Sequence, residues 1–128
     1  MSKPARALHA SEHQMQCAVI RWWQYAHHSY KLPEFALFAI PNGGARDAVT
    51  GALMKAEGVR AGAPDLMLAV PWGPYHDNSG LFIEMKANKN KPTSQQLAFI
   101  AYLESAGYKC AVHWSAISAI EEIKAYLA

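Results

Sequence analysis

Gly80-Leu81-Phe82-Ile83-Glu84-Met85-Lys86 is the stretch on which the fold turns. A strand sends successive side chains to opposite faces, so Leu81, Ile83 and Met85 share one face, and Glu84 and Lys86 the other. A second apolar run, Leu66 to Val70, opens directly after Gly62-Ala63-Pro64-Asp65. The turn-rich segment Pro71 to Gly80 joins the two runs, and the simplest pairing is a β-hairpin. Asp65, Glu84 and Lys86 then lie at neighbouring strand ends.

Working outward, Ser11 and Gln14 form a capping-box signature that starts a helix over about Ser11 to His28. Met15, Val19, Trp22, Trp23 and Ala26 recur at helical spacing as its buried stripe, and Glu12 falls on that stripe in the first turn. Phe35 to Ile40 is expected as a short buried strand, stopped by Pro41-Asn42-Gly43-Gly44. A second helix is expected from about Ala45 to Glu57, ended by Gly58. Thr93 caps a third helix with Leu97, Ile100 and Leu103 on its apolar face and Gly107 at its end. Tyr108 to Trp114 is a further strand, and Ser115 caps a last helix carrying Ile117, Ile120, Ile123 and Leu127. The order α-β-α-β-β-α-β-α predicts an α/β fold, a central mixed sheet flanked by helices on its two faces.

The chain has 128 residues, about one domain's worth, and 52% of them are hydrophobic against 17% charged, which excludes a disordered chain. Residues 1–10 are expected as a loose tail and residues 11–128 as a single domain. No apolar run approaches a membrane span and no secretory signal is present, so the expected location is the cytoplasm, without a membrane partner. Cys17 and Cys110 lack metal spacing and are expected as small core residues in a reducing compartment, with a disulfide between them the alternative. The six histidines form no compact zinc pattern. Trp22, Trp23, Trp72 and Trp114 are expected in the core or an interface, with Trp72, in a Pro/Gly-rich loop, the one placed to meet a partner.

A net charge of +2 does not by itself demand a polyanion, but Arg46, Lys55, Arg60, Lys86, Lys89 and Lys91 flank the acidic trio on both sides. Two carboxylates beside an ammonium suit a hard divalent ion, Mg²⁺ or Mn²⁺, which activates water and neutralises a phosphate. Asp65 and Glu84 would be ligands with the backbone carbonyl of Met85, and Lys86 would orient water or stabilise developing charge. Asn42, Gly43 and Gly44 precede a helix, so their amides can receive a phosphate with Arg46 as clamp; Lys55, Arg60 and Lys89 are further DNA-backbone candidates. Each feature has a plainer alternative: a surface ion pair for Glu84 and Lys86, a Pro-Asp turn for Asp65, a dipole-favoured helix acid for Glu12, a capping box for Gln96, and a helix-start arginine for Arg46.

Taken together, Glu12 with Met15-Gln16, Pro41 to Arg46, Gly58 to Leu66, and Ile83 to Lys86 followed by Gln96 resemble the VRR-NUC branch of the PD-(D/E)xK nuclease superfamily. The resemblance implies a restriction-endonuclease-like fold with Asp65 and Glu84 as metal ligands and Lys86 as the catalytic lysine. It further implies that Glu12 completes the metal site, directly or through water, and that Gln96 helps order it. The arginine pair that names the family stands here as Val59-Arg60-Ala61, which puts any role of a second arginine in doubt. The expected activity is metal-dependent endonucleolytic cleavage of branched DNA, such as a four-way junction, by a homodimer of phage or prophage origin, with no organic cofactor. The alternatives are a flap or nicking nuclease of the same fold and a non-cleaving nucleic-acid-binding module.

Overall fold

Four strands in the order β1-β2-β3-β4 make one sheet: β1 (Leu37–Ala39), β2 (Leu66–Leu68), β3 (Leu81–Met85) and β4 (Lys109–His113). This computed structural model describes residues 10–42, 47–72 and 77–128. The helices are α1 (Glu12–Ala26), α2 (Ala48–Ala56), α3 (Ser94–Ser105) and α4 (Ala116–Leu127), so the element order is the one the sequence predicts. The first three strands are antiparallel neighbours, and β4 returns parallel to β3 after the α3 crossover. The sheet is therefore mixed.

One face of the sheet carries the main core. Leu66 pairs with Ile83 and Leu68 with Leu81, and these four side chains are fully buried with Met85. Met15, Val19 and Trp23 of α1 and Ala119, Ile123 and Tyr126 of α4 close over them. The start of α1 is set by a reciprocal cap, Gln14 N–H to Ser11 Oγ at 3.0 Å and Ser11 N–H to Gln14 Oε1 at 2.9 Å. Such a cap stabilises by about 1 kcal/mol, whereas each buried large apolar side chain contributes roughly 1.5–3 kcal/mol, so packing holds this helix and the cap fixes where it begins.

The opposite face is covered by α3, and there Phe82 meets Tyr108 edge to face with ring centres 5.3 Å apart. Covering both faces buries every residue of β3, charged Glu84 included. The alternative of a half-solvated strand with a surface ion pair does not hold. Gly62 fixes where this face meets the preceding turn. It adopts φ +90, and a Cβ there would stand 3.0 Å from the backbone carbon and oxygen of Gln95. The turn before Asp65 thus packs directly on the first turn of α3.

Several expectations shift. β1 is an edge strand, with no further strand beyond it among the described residues, in which only Leu37 is buried and Phe38 faces outward; exposed Phe35 lies before it in a short 3-10 turn, Glu34–Ala36. The second helix starts at Ala48, three residues late, with Asp47 as its cap through Thr50 N–H. Leu97 and Ile117 are exposed: α3 buries Leu103 and half-buries Gln96, Phe99 and Ile100, and α4 presents Ala119, Ile123 and Tyr126 inward. Trp72 is engaged within the chain, its indole donating to Ala128 O and its N–H to the Tyr126 hydroxyl, which in turn donates to Val70 O. Cys17 and Cys110 are half-buried free thiols, and burial pushes Cys110 up to about 11. No helix of the described residues is long and apolar enough to cross a membrane.

Candidate metal centre and active site

The carboxyl end of β3 and the loop after it gather the sequence-predicted groups. Continuing the β2–β3 register one step places Asp65 opposite Glu84. Asp65 is half-buried and held by two donors: Met85 N–H reaches Oδ2 at 2.7 Å and Asn42 Nδ2 reaches Oδ1 at 3.0 Å. Its own carbonyl accepts from Ile40 N–H at 2.8 Å, fastening it to the end of β1. Asn42, expected to offer its backbone amide to a phosphate cradle, turns its side-chain amide onto this carboxylate. Gly43, Gly44 and Arg46 of that cradle lie outside the described residues.

Glu84 is 2% exposed and Lys86 7%, and Lys86 Nζ lies 3.7 Å from Glu84 Oε2. The same oxygen accepts from Gln96 Nε2 at 2.9 Å, while Gln96 Oε1 accepts from Thr93 N–H at 2.8 Å. Gln96 therefore makes both contacts: one end of its amide closes the first turn of α3 and the other bonds the acid. Gln95, the neighbouring residue, is exposed. With Glu84 ionised, its buried Oε1 has no hydrogen-bond donor. A buried carboxylate oxygen left so is costly, by about 1–3 kcal/mol or more.

Electrostatics expresses that cost. Burial, then the charge of Asp65, pushes the Glu84 carboxyl from its ordinary 4.5 up to about 8; Lys86 opposes the shift and Glu12 adds to it. Asp65 is likewise raised, chiefly by burial, against the pull of its two hydrogen-bond donors. A protonated Glu84 can donate to Asp65, whereas two carboxylates cannot share a bond. The metal-free site therefore favours a proton between the two acids.

Glu12 comes from the opposite face of the sheet. At the first turn of α1 its Oε2 accepts from Ala87 N–H at 3.3 Å, just beyond Lys86. It stands at the rim, and among the described residues no three His, Cys, Asp or Glu side chains gather into a metal-holding group. Two carboxylates with a backbone carbonyl nonetheless suit Mg²⁺ or Mn²⁺, which bind through one or two carboxylates and keep several waters. The unpartnered oxygen of Glu84 and the proton held against Asp65 are what such a cation would satisfy and displace. Of the basic candidates, Lys55, Arg60 and Lys89 are all exposed on α2, the following turn and the β3–α3 loop.

Two contacts of the candidate site have no signature in the sequence. Asn42 bonds Asp65 across 23 positions, and Ala87 meets Glu12 across 75. Each depends on pairing of distant segments, and only the helix-stripe position of Glu12 hinted at an inward partner.

Comparison with known proteins identifies the family and supports the fold. The family model of the VRR-NUC domain matches residues 5–116. A solved VRR_NUC domain protein is 27% identical, superimposes with a TM-score of 0.75, and is matched over 91% of this chain and 88% of its own. No curated protein matches the chain.

Proposed function

The chain belongs to the VRR-NUC family of nucleases, and we propose that it is a Mg²⁺- or Mn²⁺-dependent endonuclease that cleaves branched DNA, four-way junctions above all. The observation that carries the reading is the buried Glu84, paired with Lys86 and Gln96 on one oxygen and orphaned on the other. Burying an acid in this way is unfavourable for the fold and becomes useful once a cation takes up the free oxygen.

In this reading Asp65, Glu84 and the Met85 carbonyl would hold the ion, with Glu12 completing the site directly or through water. The bound ion supplies phosphate charge neutralisation and a water acidic enough to attack near neutral pH. Asn42 and Met85 N–H orient Asp65, Gln96 orients Glu84, and Lys86 places a positive charge where the phosphate gains negative charge during attack. Arg46, Asn42, Gly43, Gly44, Lys55, Arg60 and Lys89 supply the candidate DNA-facing rim. Residues 11–128 act as one stand-alone domain, and a homodimer supplies the two sites that symmetric cutting of a four-way junction requires. Phage or prophage origin, action in the bacterial cytoplasm and a task in replication, recombination or repair complete the proposal.

The test is incubation of end-labelled linear duplex, flap and four-way-junction DNA with purified protein in Mg²⁺, Mn²⁺ or EDTA. Cutting of the junction that needs metal and is lost in Glu84→Ala is the expected result. Binding without metal-dependent cutting of any substrate overturns the nuclease reading, and preference for a flap or a single nick overturns the junction assignment. A monomeric mass by sedimentation at micromolar concentration overturns the dimer.

A further inference from the structure

A groove of about 930 Å³ opens beside the candidate active site, between the starts of α1 and α4 and the loop after β3. Its apolar lining comes from Met15, Ala18, Ala116, Ile117 and Trp114. Lys89 is its one charged lining residue, with no acid among the described residues that line it. Ile117 is 75% exposed and Trp114 45% exposed, although both lie on segments whose apolar residues should face the core.

Trp114 is not a loose surface ring. Its indole Nε1 donates to Asn90 O at 2.7 Å, and Asn90 N–H closes back onto Ala87 O at 3.0 Å. Between them Asn88 holds the left-handed conformation at φ 53, so the loop is bent to present its carbonyl to the indole. The ring is fixed before any ligand arrives, which removes the ordering cost of a contact made on its face. The same loop leads directly from the catalytic candidates: Lys86 N–H bonds His113 O, the residue before Trp114, and Ala87 N–H bonds Glu12.

From this placement we infer that the groove is a subsite for one unpaired nucleobase of the DNA, stacked on Trp114 next to the nucleotide whose phosphate is cut. The inference rests on the nuclease reading above and adds a substrate determinant to it. A base has flat apolar faces, polar edges and an attached phosphate. The exposed indole and Ile117 match the faces, the amides of Asn88 and Asn90 the edges, and Lys89 the phosphate. A base inside a duplex has both faces covered by its neighbours, so only one released at a branch, fork or flap can enter. The groove thereby selects for interrupted pairing without reading sequence.

The experiment is binding of forked DNA carrying 2-aminopurine at each unpaired position in turn, by wild-type protein in EDTA, so that it reads binding whether or not the protein cuts. The expected result is quenching at one position next to the branch. Trp114→Ala should abolish that quench and weaken forked-DNA binding roughly 5- to 150-fold, as loss of one base stack does, while Trp114→Phe, which keeps an aromatic face without the indole N–H, retains part of that affinity. Ile117→Asp, at a site too exposed to disturb folding, should also weaken it. Quenching at no position, or Trp114→Ala binding as tightly as wild type, overturns the inference. If Ile117→Asp instead abolishes self-association in sedimentation and leaves the quench intact, the groove belongs to a second copy of the chain.

Discussion

Replacing Glu84 by glutamine should make the metal-free protein more stable, by a margin that grows with pH. In the wild type the Glu84 carboxyl titrates at about 8 in the fold against an ordinary 4.5. The folded chain thus holds this proton more tightly than the unfolded chain, and stability falls as pH rises through that interval. The slope from one such group is about 1.4 kcal/mol per pH unit, so between pH 5 and pH 8 the loss approaches roughly 4 kcal/mol. Below pH 4.5 the group contributes no slope, and above about 8 the loss is complete. That is a large part of the ~5–15 kcal/mol that holds a domain together. The Glu84→Gln side chain would copy the protonated acid, its carbonyl accepting from Gln96 and its amide donating to Asp65, and would have no charge to bury. Urea unfolding of both proteins in EDTA at pH 5, 6, 7, 8 and 9 measures the difference. The curves should diverge in favour of Glu84→Gln and run parallel above about pH 8. Saturating Mn²⁺ should flatten the wild-type slope, since a cation replaces the proton. A difference that stays constant from pH 5 to 8 would refute the claim that burial and Asp65 hold Glu84 protonated.

Other outcomes follow from single contacts. Gly62→Ala meets both a positive φ and the Gln95 backbone at 3.0 Å, and should lower unfolding free energy by about 1–3 kcal/mol in denaturant titration. Gln96→Ala removes its half of the α3 capping box and the donor to Glu84 together, so calorimetry should show weaker Mn²⁺ binding along with a melting temperature lowered by the equivalent of about 1–2 kcal/mol. Tyr126→Phe deletes the hydroxyl that bonds Val70 O and Trp72 N–H; a loss of roughly 1–3 kcal/mol in the same assay is expected, with Mn²⁺ affinity unchanged. Asp65→Asn should abolish metal-dependent cutting while the fold, read by circular dichroism, persists.

The element order was legible because it is written locally. Ser11, Thr93 and Ser115 announce helices that form where they predict, and the alternation through Glu84 announces the central strand. What alternation cannot carry is whether both faces of that strand are covered, since this depends on α3 folding over Phe82 and Glu84. The acid-lysine pair therefore read equally well as surface charge. Phe38 failed for the complementary reason: an apolar run looks the same on an edge strand as in the middle of a sheet. Ile117 satisfies helical spacing, yet the orientation of α4 against α1 selects Ala119, Ile123 and Tyr126 instead. Asn42 was placed with its glycine-rich neighbours, and only the β1–β2 pairing, distant in sequence, turns it toward Asp65.

Gln96 ties the edge of the molecule to its interior. Its amide oxygen closes the first turn of α3 and its amide nitrogen restrains Glu84, so one rotamer serves two equilibria. Fraying of that turn and loosening of the acid are then a single event. By reciprocity, whatever fixes Glu84 in its ionised form must quieten the start of the helix to the same extent. Amide exchange at Gln96 and Leu97, on the rim of the molecule, becomes a meter for the state of an acid buried beneath it.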